Sequence, residues 1–185
     1  ENLDMKSLQE ALNDLSGNMD KIEQDLDRYL EIFKRLQAEQ KMDELQNRMQ
    51  QLFEQENALN QEISKADNTT DQSTLERLAQ EEQRNLDEFE NIKSLLEEAS
   101  DLVEPFSETA SQELLEMAES DLAEEIQSTL NETAQNLSQQ DVQSAQQSSQ
   151  KSIQNMEMMM MEMMDIQQGF QQETVSEMTE KFQAL

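Results

Sequence analysis

Seven of the chain's thirteen methionines fall between Met156 and Met164, in the segment MEMMMMEMMD that closes at Asp165. Thioether sulfurs are soft ligands suited to Cu(I), and Met156 with Met158 gives a Met-x-Met spacing. Consecutive helical residues point in different directions, so one rigid helix does not converge them on a single ion. Packing accounts for the spacing better. Met156, Met160 and Met163 fall on a core seam, while Met158, Met159, Met161 and Met164 fall elsewhere. A helix apolar on more than one side is either central in a bundle or offers an adaptable face to a partner. Met158, Met159, Met161 and Met164 are therefore the candidate docking residues. The lack of basic residues flanking the run argues against lipid contact.

Carboxylates are the other abundant chemistry. Against 42 acidic residues stand 13 basic ones, a formal charge of −29. Phosphate binding needs clustered Lys and Arg, so nucleic acid is excluded as a partner and an anionic membrane surface is disfavoured. No Lys or Arg occurs from residue 94 to residue 150, where Glu97, Glu98, Asp101, Glu104, Glu108, Glu113, Glu116 and Glu119 accumulate. Such a run is a solvated face or, more specifically, a docking surface for a basic partner or divalent cations. A di-iron carboxylate bundle needs Glu-x-x-His pairs, and the chain has no His. Asp67-x-Thr69-x-Asp71 opens like a calcium loop, but Gln72 replaces the required Gly and Leu78 the bidentate Glu.

Catalysis has little to draw on. The chain has neither His nor Cys, and no glycine-rich phosphate loop or nucleophile elbow. Its carboxylates are expected outside the heptad seams, with no water-excluding pocket to perturb them. A non-enzymatic protein without metal or cofactor is the expectation.

The elements that must carry these residues are helical. Two Gly and one Pro in 185 residues leave few chain reversals. Leu8, Leu12, Leu15, Met19, Ile22, Leu26, Tyr29, Phe33 and Leu36 alternate spacings of four and three, a sustained heptad seam. A second seam runs Met42, Leu45, Met49, Leu52, then Leu59 and Ile63. The two registers do not join, so a phase skip near 37–41 is expected inside one helix over about 2–66. Asp67 to Ser73 reads as a turn, with Ser73 and Glu76 as a capping box for a helix over 73–103 that Pro105 stops. A third helix is expected over 107–137, and a fourth over 141–183 with Gly169 ending or hinging it. The Gln/Ser-rich stretch around Ser148 and Ser149 reads as a loosely packed helix start.

Fold class is thus all-α: an elongated antiparallel helical bundle or coiled coil of about four helices of unequal length, in one domain. The first helix would reach roughly 100 Å at 1.5 Å per residue, the second and third roughly 45 Å each and the fourth roughly 65 Å. Short loops make neighbours antiparallel. A four-helix head is expected, with a two-stranded stalk of 1–36 against 169–185. The same seam residues would serve equally to pair two chains, so monomer and homodimer both stay open.

Residues 28–59, RYLEIFKRLQAEQKMDELQNRMQQLFEQENAL, and residues 144–168, SAQQSSQKSIQNMEMMMMEMMDIQQ, resemble the helical region of large bacterial membrane-anchored proteins, a family classed as a domain of unknown function. The shared core here is Glu39-Gln40-Lys41-Met42-Asp43-Glu44-Leu45. The chain departs from that pattern by being more acidic and poorer in Lys. The resemblance implies a bacterial cell-envelope protein, a scaffolding or interaction role, and no catalytic residues. The expected function is a helical spacer or scaffold segment of a larger protein, docking a basic or helical protein partner. The alternative is a helical-bundle sensor holding a small ligand or cation between its helices.

Overall fold

In the computed structural model the backbone is described for residues 5–67 and 69–183, and side chains for 13–67 and 69–175. The protein is an all-α bundle: α1 (Met5–Ile63), α2 (Gln72–Val103), α3 (Glu108–Ala118), α4 (Asp121–Ser138) and α5 (Val142–Gln183). Among the described residues there is no strand, and no helix is long and apolar enough to cross a membrane.

The helix expected over 107–137 is two helices. Ser120 makes the break: its hydroxyl donates to the Met117 carbonyl (2.8 Å) and accepts from the Ala123 amide (3.1 Å). One side chain thereby ends α3 and caps α4, satisfying groups a helix end leaves orphaned. The cap of α2 also differs from expectation. Asp71, rather than Ser73, accepts from the Thr74 amide (2.9 Å), so α2 starts at Gln72. Hydrogen bonds from Ser73 and Thr74 hold the Asp71 carboxyl down at about 2. In the preceding turn Asp67 accepts from the Thr69 amide (2.7 Å), a local Asx turn; its neighbour Asn68 lies outside the described residues. Between α4 and α5, Gln140 adopts a φ of +63°, the left-handed closure usually given to Gly. Asp141 then caps α5 by accepting from the Ser144 amide (3.1 Å). α5 runs on through Gly169, which neither ends nor breaks it.

Two compact units divide the chain at Gln37/Ala38. In the second, cross-helix bonds set α1 antiparallel to both α2 and α5. Lys41–Glu98, Arg48–Glu88 and Glu62–Arg77 tie α1 to α2. Asp43–Gln167 and Glu56–Ser149 tie α1 to α5. Glu90–Gln127 joins α2 to α4, and Glu125–Lys151 joins α4 to α5. The ion pairs among them are exposed or half-exposed and contribute little each, typically below about 1 kcal/mol. Burial of the seams is the main stabilisation. The α1 seam of this unit starts at Ala38 and proceeds through Met42, Leu45, Met49 and Leu52, all buried. It packs with Phe89, Ile92, Leu96, Ile126, Leu130, Met156, Met159 and Phe170 in one apolar cluster. A second, smaller cluster gathers Leu59, Ile63, Leu75, Leu78, Leu137, Val142 and Ala145.

The expected stalk of 1–36 with 169–185 joins residues of the two units, and the side chains of 1–12 and 176–185 lie outside the described residues.

Candidate functional site

Between the two apolar clusters lies a polar layer. The larger cluster stops at Leu52, Leu86, Leu130 and Met156, and the smaller begins at Leu59, Ala79, Leu137 and Ala145. Glu56, Glu82, Asn85, Thr133, Ser148, Ser149 and Ser152 fill the gap, all of them buried. Glu56 stands at the seam position between Leu52 and Leu59, and Glu82 at the equivalent place on α2; both are 0% exposed. The expectation that carboxylates lie outside the seams fails at these two residues. So does the loosely packed start of α5, because Ser148, Ser149 and Ser152 are the small polar side chains that let α5 close over the two acids.

The layer is partly satisfied. Asn85 Nδ2 donates to Glu56 Oε2 (2.9 Å), and the Ser149 hydroxyl donates to Glu56 Oε1 (2.8 Å). Thr133 donates to the Ser148 hydroxyl (2.7 Å), which in turn reaches the Ser144 and Ala145 carbonyls. Neither Glu82 oxygen has a hydrogen-bond partner, nor does the Ser152 hydroxyl. Burial is the main reason the Glu82 carboxyl is pushed up to about 11, and the charge on Glu56 adds to it. Burial also raises Glu56, opposed by its bonds from Asn85 and Ser149. Two carboxylates facing one another have no proton between them and repel. A proton on Glu82 makes its hydroxyl a donor to Glu56, which removes the repulsion and gives one of the two orphaned oxygens a partner. Burial and the facing Glu56 carboxyl thus both favour the protonated form of Glu82.

Two exposed apolar features accompany it. In α5 the buried heptad is Ala145, Ser149, Ser152, Met156, Met159, Met163, Ile166 and Phe170. Met159 therefore belongs to the core at 0% exposure, while Met160 is half-buried, which corrects the docking assignment of Met159. The register runs three residues on from Met156 and four back from Met163, and Ser149 and Ser152 continue it. Met158, Met161 and Met164 are exposed at 47, 58 and 45%. They form a row at spacing three, on the side of α5 away from Met159.

The larger bare feature is in the first unit. Leu15, Met19, Ile22, Leu26, Tyr29, Phe33 and Leu36 are all exposed, from 49% at Leu36 to 69% at Tyr29, and Leu30 and Ile32 flank them. Leu8 and Leu12, the earlier members of the seam, have side chains outside the described residues.

Comparison with known families, curated proteins and solved structures finds no match.

What remains is the geometry. An open cavity of about 490 Å³ between α3 and α5 has Ala110, Met117, Ile166 and Phe170 among its lining, with Glu113, Glu116, Glu162, Asp165 and Glu173 around them. Among the described residues no three acidic side chains converge as a metal site requires. The polar layer could not be found from a seam alone, but a signal was present: each of its acids interrupts a heptad that is otherwise apolar on both sides.

Proposed function

We propose that the chain is a non-enzymatic helical interaction module, a spacer or scaffold segment of a larger bacterial envelope protein. The bare seam of Leu15 to Leu36 is the observation that carries this reading. A heptad seam is maintained to be buried against another helix, and nine large apolar side chains here stand in solvent. Taken as half-exposed surfaces they amount to on the order of 1,000 Å², above the few hundred Å² of the largest patch on an ordinary monomer. The envelope setting is supported by the family resemblance of residues 28–59 and 144–168. The exposed row of Met158, Met161 and Met164 offers a second, adaptable contact for a protein partner.

The reading is tested by replacing Leu26 and Phe33 together with Gln in the full chain. Interaction residues of a bare seam should leave the main thermal transition within about 2 °C, since surface changes usually stay within about 0.5 kcal/mol. A drop of 10 °C or more would make them core residues and refute the module.

The sensor alternative has one observation in its favour, the orphaned Ser152 hydroxyl beside two buried acids. It predicts a saturable rise in melting temperature with some small ligand or cation. A screen of metabolites and divalent ions without any shift would remove it.

A further inference from the structure

One helix does not bring consecutive methionines to a point, but two facing helices can. α5 presents Met160, Met163 and Met164 at spacings of three and four, which are neighbours on one face of a helix. Opposite them α1 presents Gln46, Met49 and Gln50 with the same spacing. These six side chains enclose a cavity of about 30 Å³. Met49 and Met163 form its buried side, Met160 is half-buried, and Met164 and Gln50 are exposed. We propose that this cavity binds a single Cu(I) ion through the thioether sulfurs of Met49, Met160, Met163 and Met164.

Size and lining both limit the guest. A cavity of about 30 Å³ takes something atom-sized, since about 10–15 Å³ already admits a water. Water itself is poorly served, because it needs about three hydrogen-bond partners. Only Gln46 and Gln50 bring polar side chains to the lining, and the Gln50 amide already donates to Glu54 (2.8 Å). The chain has 42 acidic residues, yet none lines this cavity. Ca²⁺ and Mg²⁺ are held by oxygen ligands, carboxylates above all, and Zn²⁺ by thiolate, imidazole or carboxylate. Neutral thioethers instead select the soft, singly charged Cu(I). The field of a chain with a formal charge of −29 favours a cation whose own ligands are uncharged.

The choice of residue agrees. From 156 to 164 every apolar residue is Met and none is Leu, whereas the core of α2 is filled by Leu75, Leu78, Leu86, Leu95 and Leu96. Leucine specifies a packed core better than flexible methionine does. What methionine adds is a polarisable sulfur on a chain of three rotatable bonds, which lets several sulfurs adjust to one centre. Burial of Met49 and Met163 fixes two of the four in place, and the exposure of Met164 leaves a way in.

The chain has neither Cys nor His, so no stronger soft ligand competes. The full chain is titrated under argon with Cu(I), kept reduced by ascorbate, in competition with a colorimetric Cu(I) chelator. Copper X-ray absorption then reads the coordinating atoms. One Cu(I) per chain is expected, in a shell of sulfur, with a saturable rise in melting temperature; Zn²⁺ and Ca²⁺ should give neither. Leucine matches methionine in volume, so Met→Leu changes remove sulfur while keeping the packing. Met49→Leu with Met163→Leu, and separately Met160→Leu with Met164→Leu on the more exposed side, should each weaken Cu(I) binding by about 100-fold. A lost ligand costs no less than a lost outer-shell partner, whose removal costs about 10–100-fold. Met158→Leu with Met161→Leu, on the same helix but outside the cavity, should leave the affinity unchanged. No uptake of Cu(I) against the chelator would overturn the site. So would an equal loss in the Met158/Met161 control, an unchanged affinity in either cavity variant, or a copper shell of nitrogen and oxygen.

Discussion

Glu82→Gln should make this protein more stable at neutral pH, and progressively less so as the solution is acidified. Glu82 is fully buried without a hydrogen-bond partner, and its carboxyl is pushed far above the 4.5 of an ordinary glutamate. Its folded pKa is raised, so its contribution is fully present below 4.5 and is lost as pH climbs towards the folded value. Each pH unit in that window removes about 1.4 kcal/mol, and from 4.5 to 7 the loss is about 3 kcal/mol. Glutamine keeps the shape of the protonated acid, donates to Glu56 and has no proton to lose. The variant should therefore match the natural protein near pH 4.5 and exceed it by about 3 kcal/mol at pH 7. At roughly 2–4 °C per kcal/mol for a chain of this size, that is a rise of about 6–12 °C. The assay is thermal or urea unfolding followed by circular dichroism at several pH values between 4.5 and 8.5. The general repulsion of −29 charges also relaxes in acid, so the quantity to compare is the difference between the two proteins, which cancels it. A difference that does not change with pH would refute the reasoning. So would a variant destabilised at pH 7, the usual result of breaking a paired buried charge.

Three further outcomes rest on burial and backbone. Met159→Gln should lower stability by about 2–4 kcal/mol, since it buries an amide among apolar side chains, whereas the triple change of Met158, Met161 and Met164 to Gln should move it by less than about 1 kcal/mol in urea melts. Gly169→Ala should raise stability by about 0.5–1 kcal/mol, because the residue is inside α5 and nothing lies within 4 Å of an added methyl.

Helix content and the antiparallel order of the bundle were legible because Leu and Met recur at spacings of three and four, and because Asp67–Ser73 and Pro105 interrupt them. Three things were not. The break at Ser120 hides inside a continuous amphipathic pattern, and only a Ser followed by Asp121 and Glu124 marks a new start. A seam drawn through the apolar residues of α5 alone passes through Met160; once Ser149 and Ser152 are admitted as members, the register passes through Met159 instead. The buried acids escape an apolar seam for the same reason. A reading that counts only apolar positions skips from Leu52 to Leu59 and never asks what occupies position 56. Polar residues in a seam are chosen by their neighbours across the bundle, here Asn85 and Ser149, and those neighbours are known only once the helices are assembled.

The polar layer has a consequence for how the helices find their alignment. Leucine and methionine ladders are nearly periodic, so sliding α1 past α2 by one heptad trades each apolar contact for another of similar worth. Glu56 cannot make that slide. Seven residues along in either direction, its carboxyl would leave Asn85, Glu82 and Ser149 and meet the apolar flanks marked by Leu86 or Ala79, where an acid has no proton-sharing partner and no donor. Sliding therefore leaves a buried charge or proton unmatched on three helices at once, a penalty of several kcal/mol that no ladder rung returns. One acid layer in an otherwise repetitive core thus acts as a vernier mark: it adds little to the strength of the bundle and fixes where each helix stops.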